Sequence, residues 1–261
     1  MGSSCAVEKI TALLSLVNTA IWVSSVMANT STKALLSEYA PVSFLRFVLV
    51  SYADSGTFAA LPFAKKNNTK PAYQRNYETF TTERGDELQY YLIYPEDFDP
   101  TKRYPVLMTQ YSGPGSQQIA NRYTYDWEET LARNGYIVAC CDARGTGFRG
   151  EEFKKVTYAN LGHCEVEDQL SFAKHLAAQN FVDASRIGIY GWSYGGFMAL
   201  GCALKGDGLF KMAIAVAPVT SWRYYDSIYT EIYNGLPQDN PAGYDNNSPI
   251  NFADRHSGIA L

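Results

Sequence analysis

The chain is 261 residues long, 46% hydrophobic and 18% charged, below the usual charged share of about 25%, which excludes intrinsic disorder and leaves enough apolar side chains for a sizeable core. Its 22 basic residues are outnumbered by 26 acidic ones, for a net charge of -4, so no basic footprint for a phosphate backbone exists and nucleic acid is excluded as a partner. Five cysteines and three histidines without a C-x-x-C pair predict no metal site and no cofactor. Cys140 and Cys141 are adjacent in an apolar run; on a strand they point to opposite faces, and both are expected to be buried and reduced. Aromatics make up 14% of the chain, with 20 tyrosines, and their crowding in the second half suits a pocket for an organic substrate.

Residues 10–28 form an apolar stretch after Lys9 that ends in Val26-Met27-Ala28, the pattern of a secretory signal with a small-residue cleavage site. A second apolar run, Pro41 to Val50, adds a membrane reading. Phe44-Leu45-Arg46-Phe47, with Leu61-Pro62-Phe63 before Lys65-Lys66, faintly resembles the opening helix pair of drug/metabolite-type transporters. Asp54 would lie inside that second span, where a charge costs about 2.5 to 3.5 kcal/mol. Signal or anchor, soluble leader and transporter-like remnant stay open, and the expectation is a secreted, periplasmic or membrane-associated protein with membrane contact through residues 10–50. The polar segment KKNNTKPAYQ (65–74) reads as a linker. Residues 1–70 are thus a leader or anchor, and 71–261 the main domain.

Tyr77 to Thr81 and Leu88 to Tyr94 alternate like half-buried strands around Arg84-Gly85-Asp86, predicting a hairpin. Strands are then expected at Tyr104–Tyr111, Ile137–Asp142, Arg186–Tyr190 and Met212–Ala217. Helices are expected at Asp126–Asn134, closed by Gly135, at Glu165–Gln179, with Val166, Leu170, Ala173 and Leu176 on one face, and at Tyr194–Leu204. An antiparallel lead-in followed by alternating strands and helices predicts an α/β domain with a mostly parallel sheet.

Between the strand RIGIY and the helix after it lies Gly191-Trp192-Ser193-Tyr194-Gly195, followed by Gly196. A G-x-S-x-G pattern at a strand-to-helix junction is a nucleophile elbow: the glycines permit a sharp turn that lifts the serine hydroxyl clear of the sheet, and the helix's first free amides face the incoming carbonyl. Gly145-x-Gly147-x-x-Gly150 also follows a strand and competes as a dinucleotide loop. It lacks the context, because the acids about 20 residues on, Glu167 and Asp168, fall inside a predicted helix.

Five stretches, YPVLMTQYSGPGSQ (104–117), CDARGTGFRG (141–150), LGHCEVEDQ (161–169), GWSYGGF (191–197) and APVTSWRYYDSIYTEIYNGLP (217–237), resemble the catalytic domain of prolyl oligopeptidase-type serine peptidases, dipeptidyl peptidase IV branch, over about residues 75–255. The resemblance implies an α/β-hydrolase fold joined to a β-propeller, a peptide substrate cleaved after Pro or Ala in second place, and a homodimer. It implies Ser193 as nucleophile, the Tyr194 amide as one oxyanion donor and the Tyr111 phenol as the other, with Val219, Trp222, Tyr225 and Tyr229 as the wall around a proline ring. Tyr225 and Tyr229, four apart, are expected on one helical face.

A serine needs a histidine held by a carboxylate, and in hydrolases both follow it in the chain. Only His256 does so here; His163 and His175 read as surface or helix histidines, and Gly258–Leu261 as the opening of a further strand. The expectation is therefore a fold lacking its last strands, with 212–217 exposed as a sheet edge. The fragment is expected to be inactive or nearly so, keeping at most about 10³ to 10⁴ over water. An esterase or acylaminoacyl-type hydrolase and a non-catalytic, membrane-tethered pseudoenzyme are the alternatives.

Overall fold

The structure is a computed structural model that describes residues 73–121 and 127–255. Expectations for the leader, for Asp126, for His256 and for the strand at 258–261 lie outside the described residues. Among the described residues no helix is long and apolar enough to cross a membrane.

The lead-in hairpin pairs β1 (Arg75–Thr81) antiparallel with β2 (Glu87–Ile93). Its turn needs Gly85 at φ 91°, where a side chain would be strained. β3 (Tyr104–Thr109), β4 (Ile137–Asp142), β5 (Val182–Trp192) and β6 (Met212–Val216) follow. Sheet order is β1-β2-β4-β3-β5-β6, with β2 antiparallel to β4 and every later pairing parallel. All six residues of β4 are buried, which is why its sequence reads as a near-continuous apolar run.

One face of the sheet carries α3 (Cys164–Ala177) and α4 (Tyr194–Lys205). There Tyr90, Met108, Ala139 and Cys141 share a core with Val166, Phe172, Phe197 and Met198. On the other face, α1 (Glu128–Arg133) places the buried Glu128 where Tyr91 Oη (2.9 and 3.0 Å), Thr109 Oγ1 (2.9 Å) and Arg75 Nη2 (2.8 Å) all donate to it. Gly135 at φ 82° closes α1, the left-handed position that favours glycine after a helix. Cys140 and Cys141 are both buried and unpaired, and burial pushes both thiols well above their ordinary value.

The element positions differ from expectation in three respects. β3 stops at Thr109, so Tyr111 lies in a loop; β5 extends beyond both predicted ends. On α3 the expected Val166, Ala173 and Leu176 are buried and Leu170 half-buried, but Glu165, Gln169 and Phe172 are buried as well, so the inward face is wider than the apolar spacing indicated. Short elements absent from the periodicity reading also appear: α2 (Glu151–Lys155), a 3-10 turn Trp222–Tyr224, α5 (Ser227–Asn234), α6 (Pro241–Asp245) and a 3-10 stretch Pro249–Arg255. α5 escaped because its inward face mixes polar Thr230 and Asn234 with the half-buried Tyr229 and Tyr233 instead of carrying its aliphatic residues. Ile228 and Ile232 face solvent, and Thr230 and Asn234 are buried.

The glycine-rich loop has a structural use. Gly145 N–H donates to Phe153 O at 2.9 Å, Gly115 N–H to Gly145 O at 2.8 Å, and Gly147 N–H to Ser116 O at 2.7 Å. A Cβ on Gly147 would come within 2.8 Å of Gly115 O, so these glycines let two loops touch backbone to backbone. Asp168 is engaged by Arg144 rather than by a ribose.

Candidate active site

Ser193 sits between β5 and α4 at φ 58°, ψ -114°, a combination that costs an L-residue about 1 to 3 kcal/mol unless its surroundings impose it. They do. Ser193 N–H donates to Val216 O on β6 at 2.9 Å, Phe197 N–H to Ser193 O at 3.0 Å, and Gln110 Nε2 to Gly195 O at 2.8 Å. The turn is so tight that a Cβ on Gly191 would overlap the Gly195 carbonyl, one on Gly195 would lie 2.5 Å from Gln110 O, and one on Gly196 2.9 Å from Val216 O. Tyr194 opens α4, so no helix carbonyl accepts its backbone N–H.

Tyr111 leaves the end of β3, which is paired in register with β5 (Thr109 opposite Tyr190), and so arrives beside the elbow. Its ring centroid is 6.0 Å from that of Tyr194. Burial pushes the Tyr111 phenol above its ordinary value, as do the nearby Tyr225 and Tyr233, and the Ser193 side chain pulls it back. The Tyr111 ring thus lies beside the elbow that carries Ser193.

Next to them stands an aromatic group. Trp222 is 1% exposed and stacks on Tyr229 at 6.1 Å and 17°. Tyr225 is edge-on to both, at 6.0 Å from Trp222 and 5.6 Å from Tyr229. Val219 is buried in the same core. The expectation of one helical face for Tyr225 and Tyr229 is corrected: Tyr225 has φ -95°, ψ 167° and precedes α5, whose cap is Asp226. An extended residue ahead of the helix turns the two rings to 87°, which builds a corner rather than a stripe.

Two residues without an assigned role prove central. Gln110 joins the elbow to the Tyr111 loop. Glu165, completely buried, accepts a 2.7 Å hydrogen bond from Tyr194 Oη and two of 3.1 Å from Gly162 N–H. The spacing 165, 169, 172, 176 would have revealed that Glu165 occupies a core-facing helical position.

Neither described histidine hydrogen-bonds Ser193. His163 is exposed, with Nε2 3.6 Å from Glu167 Oε1. His175 stacks on Phe80 at 4.9 Å, and its Nε2 lies 3.4 Å from Tyr90 Oη. Among the described residues no group of His, Cys, Asp and Glu is disposed to hold a metal ion.

A mostly parallel sheet flanked by helices, with a strained serine on the tight turn between one strand and the helix after it, defines an α/β-hydrolase. Residues 123–259 match the prolyl oligopeptidase family, and the chain belongs to that family. It is 50% identical over 177 residues to "probable dipeptidyl-aminopeptidase B" of Sclerotinia sclerotiorum, covering 67% of this chain and 19% of the relative. Against the protein of the same name from Paracoccidioides lutzii it is 55% identical over 154 residues, 58% of this chain and 17% of the relative. The chain thus spans about a fifth of the length of these curated relatives. Among solved structures, dipeptidyl peptidase 4 of Porphyromonas gingivalis superposes with a TM-score of 0.70 at 48% identity, over 72% of this chain and 27% of that one.

Proposed function

We propose that this chain carries the nucleophile of a dipeptidyl peptidase IV-type serine peptidase, which releases dipeptides with Pro or Ala in second place through an acyl-enzyme on Ser193. In the first step Ser193 Oγ bonds to the scissile carbonyl carbon, its proton passes to a base, and the carbonyl oxygen takes the negative charge. The Tyr194 amide and the Tyr111 phenol stabilise that oxygen, and collapse expels the amine carrying the proton. Val219, Trp222, Tyr225 and Tyr229 would hold the proline ring, whose flat apolar faces match an aromatic corner.

The observation that carries this reading is a strained Ser193 on the elbow with the Tyr111 ring brought beside it, 6.0 Å from the ring of Tyr194. The names of the relatives support the dipeptide preference. Neither His163 nor His175 hydrogen-bonds Ser193, their partners being Glu167 and Tyr90, so neither is placed as its base.

A fluorophosphonate probe tests the nucleophile directly. Labelling confined to Ser193, lost in Ser193→Ala and slowed in Tyr111→Phe, is the expected result. Labelling elsewhere, or a Gly-Pro amide cleaved equally well by Ser193→Ala, overturns the proposal. Preferential cleavage of a short acyl ester would move the assignment to an esterase.

A further inference from the structure

The loop that carries Tyr111 is closed on itself by Gln118. The Tyr111 backbone N–H donates to Gln118 Oε1 at 2.6 Å. Gln118 is held in turn, because its own N–H donates to both oxygens of Asp142 at 3.1 Å and the Ile119 N–H donates to Asp142 Oδ2 at 2.8 Å. Asp142 ends β4 and is 5% exposed; its side chain therefore belongs to the rigid centre of the sheet, one strand away from β3. Cys140 Sγ, at 3.6 Å from Gln118 Oε1, closes the remaining side.

The rest of the loop depends on that clasp. Ser112 takes φ 60°, an unfavourable value for a non-glycine residue. Gly113 lies flush against the Tyr111 ring, where a Cβ would collide with Cε1. A backbone bent this sharply directly after Tyr111 would relax if the amide before the bend were released, and the ring would swing with it.

We infer that Gln118, anchored by Asp142, is the positioning residue that holds the Tyr111 phenol against Ser193. This inference rests on the proposed role of Tyr111 as an oxyanion donor, but its geometry can be measured without any turnover. Gln118 touches no reacting atom. It acts by denying Tyr111 alternative backbone conformations, and a displacement of about 1 Å in such a group can cost about 100-fold in rate.

The test places 3-fluorotyrosine at position 111 of the full chain and reads its ¹⁹F signal with and without Ser193→Ala. In the parent background that substitution moves the signal, because the phenol loses its partner. In Gln118→Met, which keeps the side-chain length and removes the acceptor, the same substitution leaves the signal unmoved. Gln118→Glu, which keeps an oxygen at the clasp, restores the response. In parallel, fluorophosphonate labelling of Ser193 slows about 10- to 100-fold in Gln118→Met and recovers in Gln118→Glu. An unchanged ¹⁹F response and an unchanged labelling rate in a folded Gln118→Met protein overturn the inference. Absence of labelling in the parent chain overturns the hydrolase reading alone and leaves the ¹⁹F arm to decide this one. If Gln118→Met does not fold, hydrogen exchange of the Tyr111 amide in the unmodified chain decides it: slow exchange supports the clasp, and exchange at the rate of an open loop refutes it.

Discussion

The Tyr194 phenol donates a 2.7 Å hydrogen bond to Glu165 Oε1, and both residues are sealed from solvent. This bond ties the first turn of α4 to the first turn of α3. Burial raises the Glu165 carboxyl above its ordinary value, opposed by the bonds from Tyr194, Gly162 and Cys164. The residue after Ser193 is therefore anchored by its side chain, while its backbone N–H, in the first turn of α4, is left for the oxyanion role proposed for it.

Removing the phenol oxygen exposes the cost of that burial. Tyr194→Phe leaves Glu165 one donor short, and the expected loss is about 1 to 3 kcal/mol of unfolding free energy, read by urea denaturation. A second consequence concerns pH. The folded state holds the Glu165 proton more tightly than the unfolded chain does, so stability falls as pH rises above about 4.3, the ordinary glutamate value. Glu165→Gln should show a shallower decline above about pH 4.3 than the parent; identical slopes would contradict the raised value.

The elbow tolerates no side chain at its hinge. In Gly195→Ala the new methyl group would press on Gln110 O, and overpacking of this kind costs about 1 to 3 kcal/mol. Because Gln110 leads directly into Tyr111, labelling of Ser193 should slow as well. A Gly195→Ala protein with the parent's melting temperature and labelling rate would show that the turn is less confined than its geometry indicates.

Arg144 and Asp168 form a buried fork, with Nη2 to Oδ1 at 2.7 Å, Nε to both oxygens at 3.0 Å, and the Arg144 N–H to Oδ2 at 2.8 Å. Asp168→Ala leaves the guanidinium without its main partner and should cost about 3 to 5 kcal/mol. A loss below about 1 kcal/mol in chemical denaturation would place the pair among weak surface bridges instead.

His175 offers a pH test of the opposite sign. Burial lowers its imidazole below the ordinary value, so the unfolded chain binds the proton more readily. Its contribution to stability is complete above about pH 6.5 and is lost as pH falls below it. His175→Phe should flatten that acid-side loss while leaving Ser193 labelling unchanged. Loss of labelling in this variant would return His175 to consideration as a base.

Much of the domain was legible because its signals are local. The hairpin around Gly85, the buried run Ile137–Asp142 and the elbow at Ser193 each rest on residues within one turn or strand. The segment after β6 was not legible. In α5 the apolar Ile228 and Ile232 face outward, while Asn234 is buried and donates to Gly243 O at 3.1 Å, so hydrophobic period pointed the wrong way. Glu165 differs: its helical spacing with Gln169, Phe172 and Leu176 marks a core position, but the reason a carboxylate sits there is the phenol it meets from another helix.

By itself the amino-acid order determined that a serine would stand on a bend at the end of a buried strand, because glycines at 191, 195 and 196 leave the backbone room that any side chain there would fill. Which phenol would stand beside that serine was decided by the tertiary structure. Parallel register between β3 and β5, closed by the Gln110 side chain on Gly195 O, carries Tyr111 to Ser193. Register between strands distant in the chain depends on packing across the whole sheet, and no local pattern of residues encodes it.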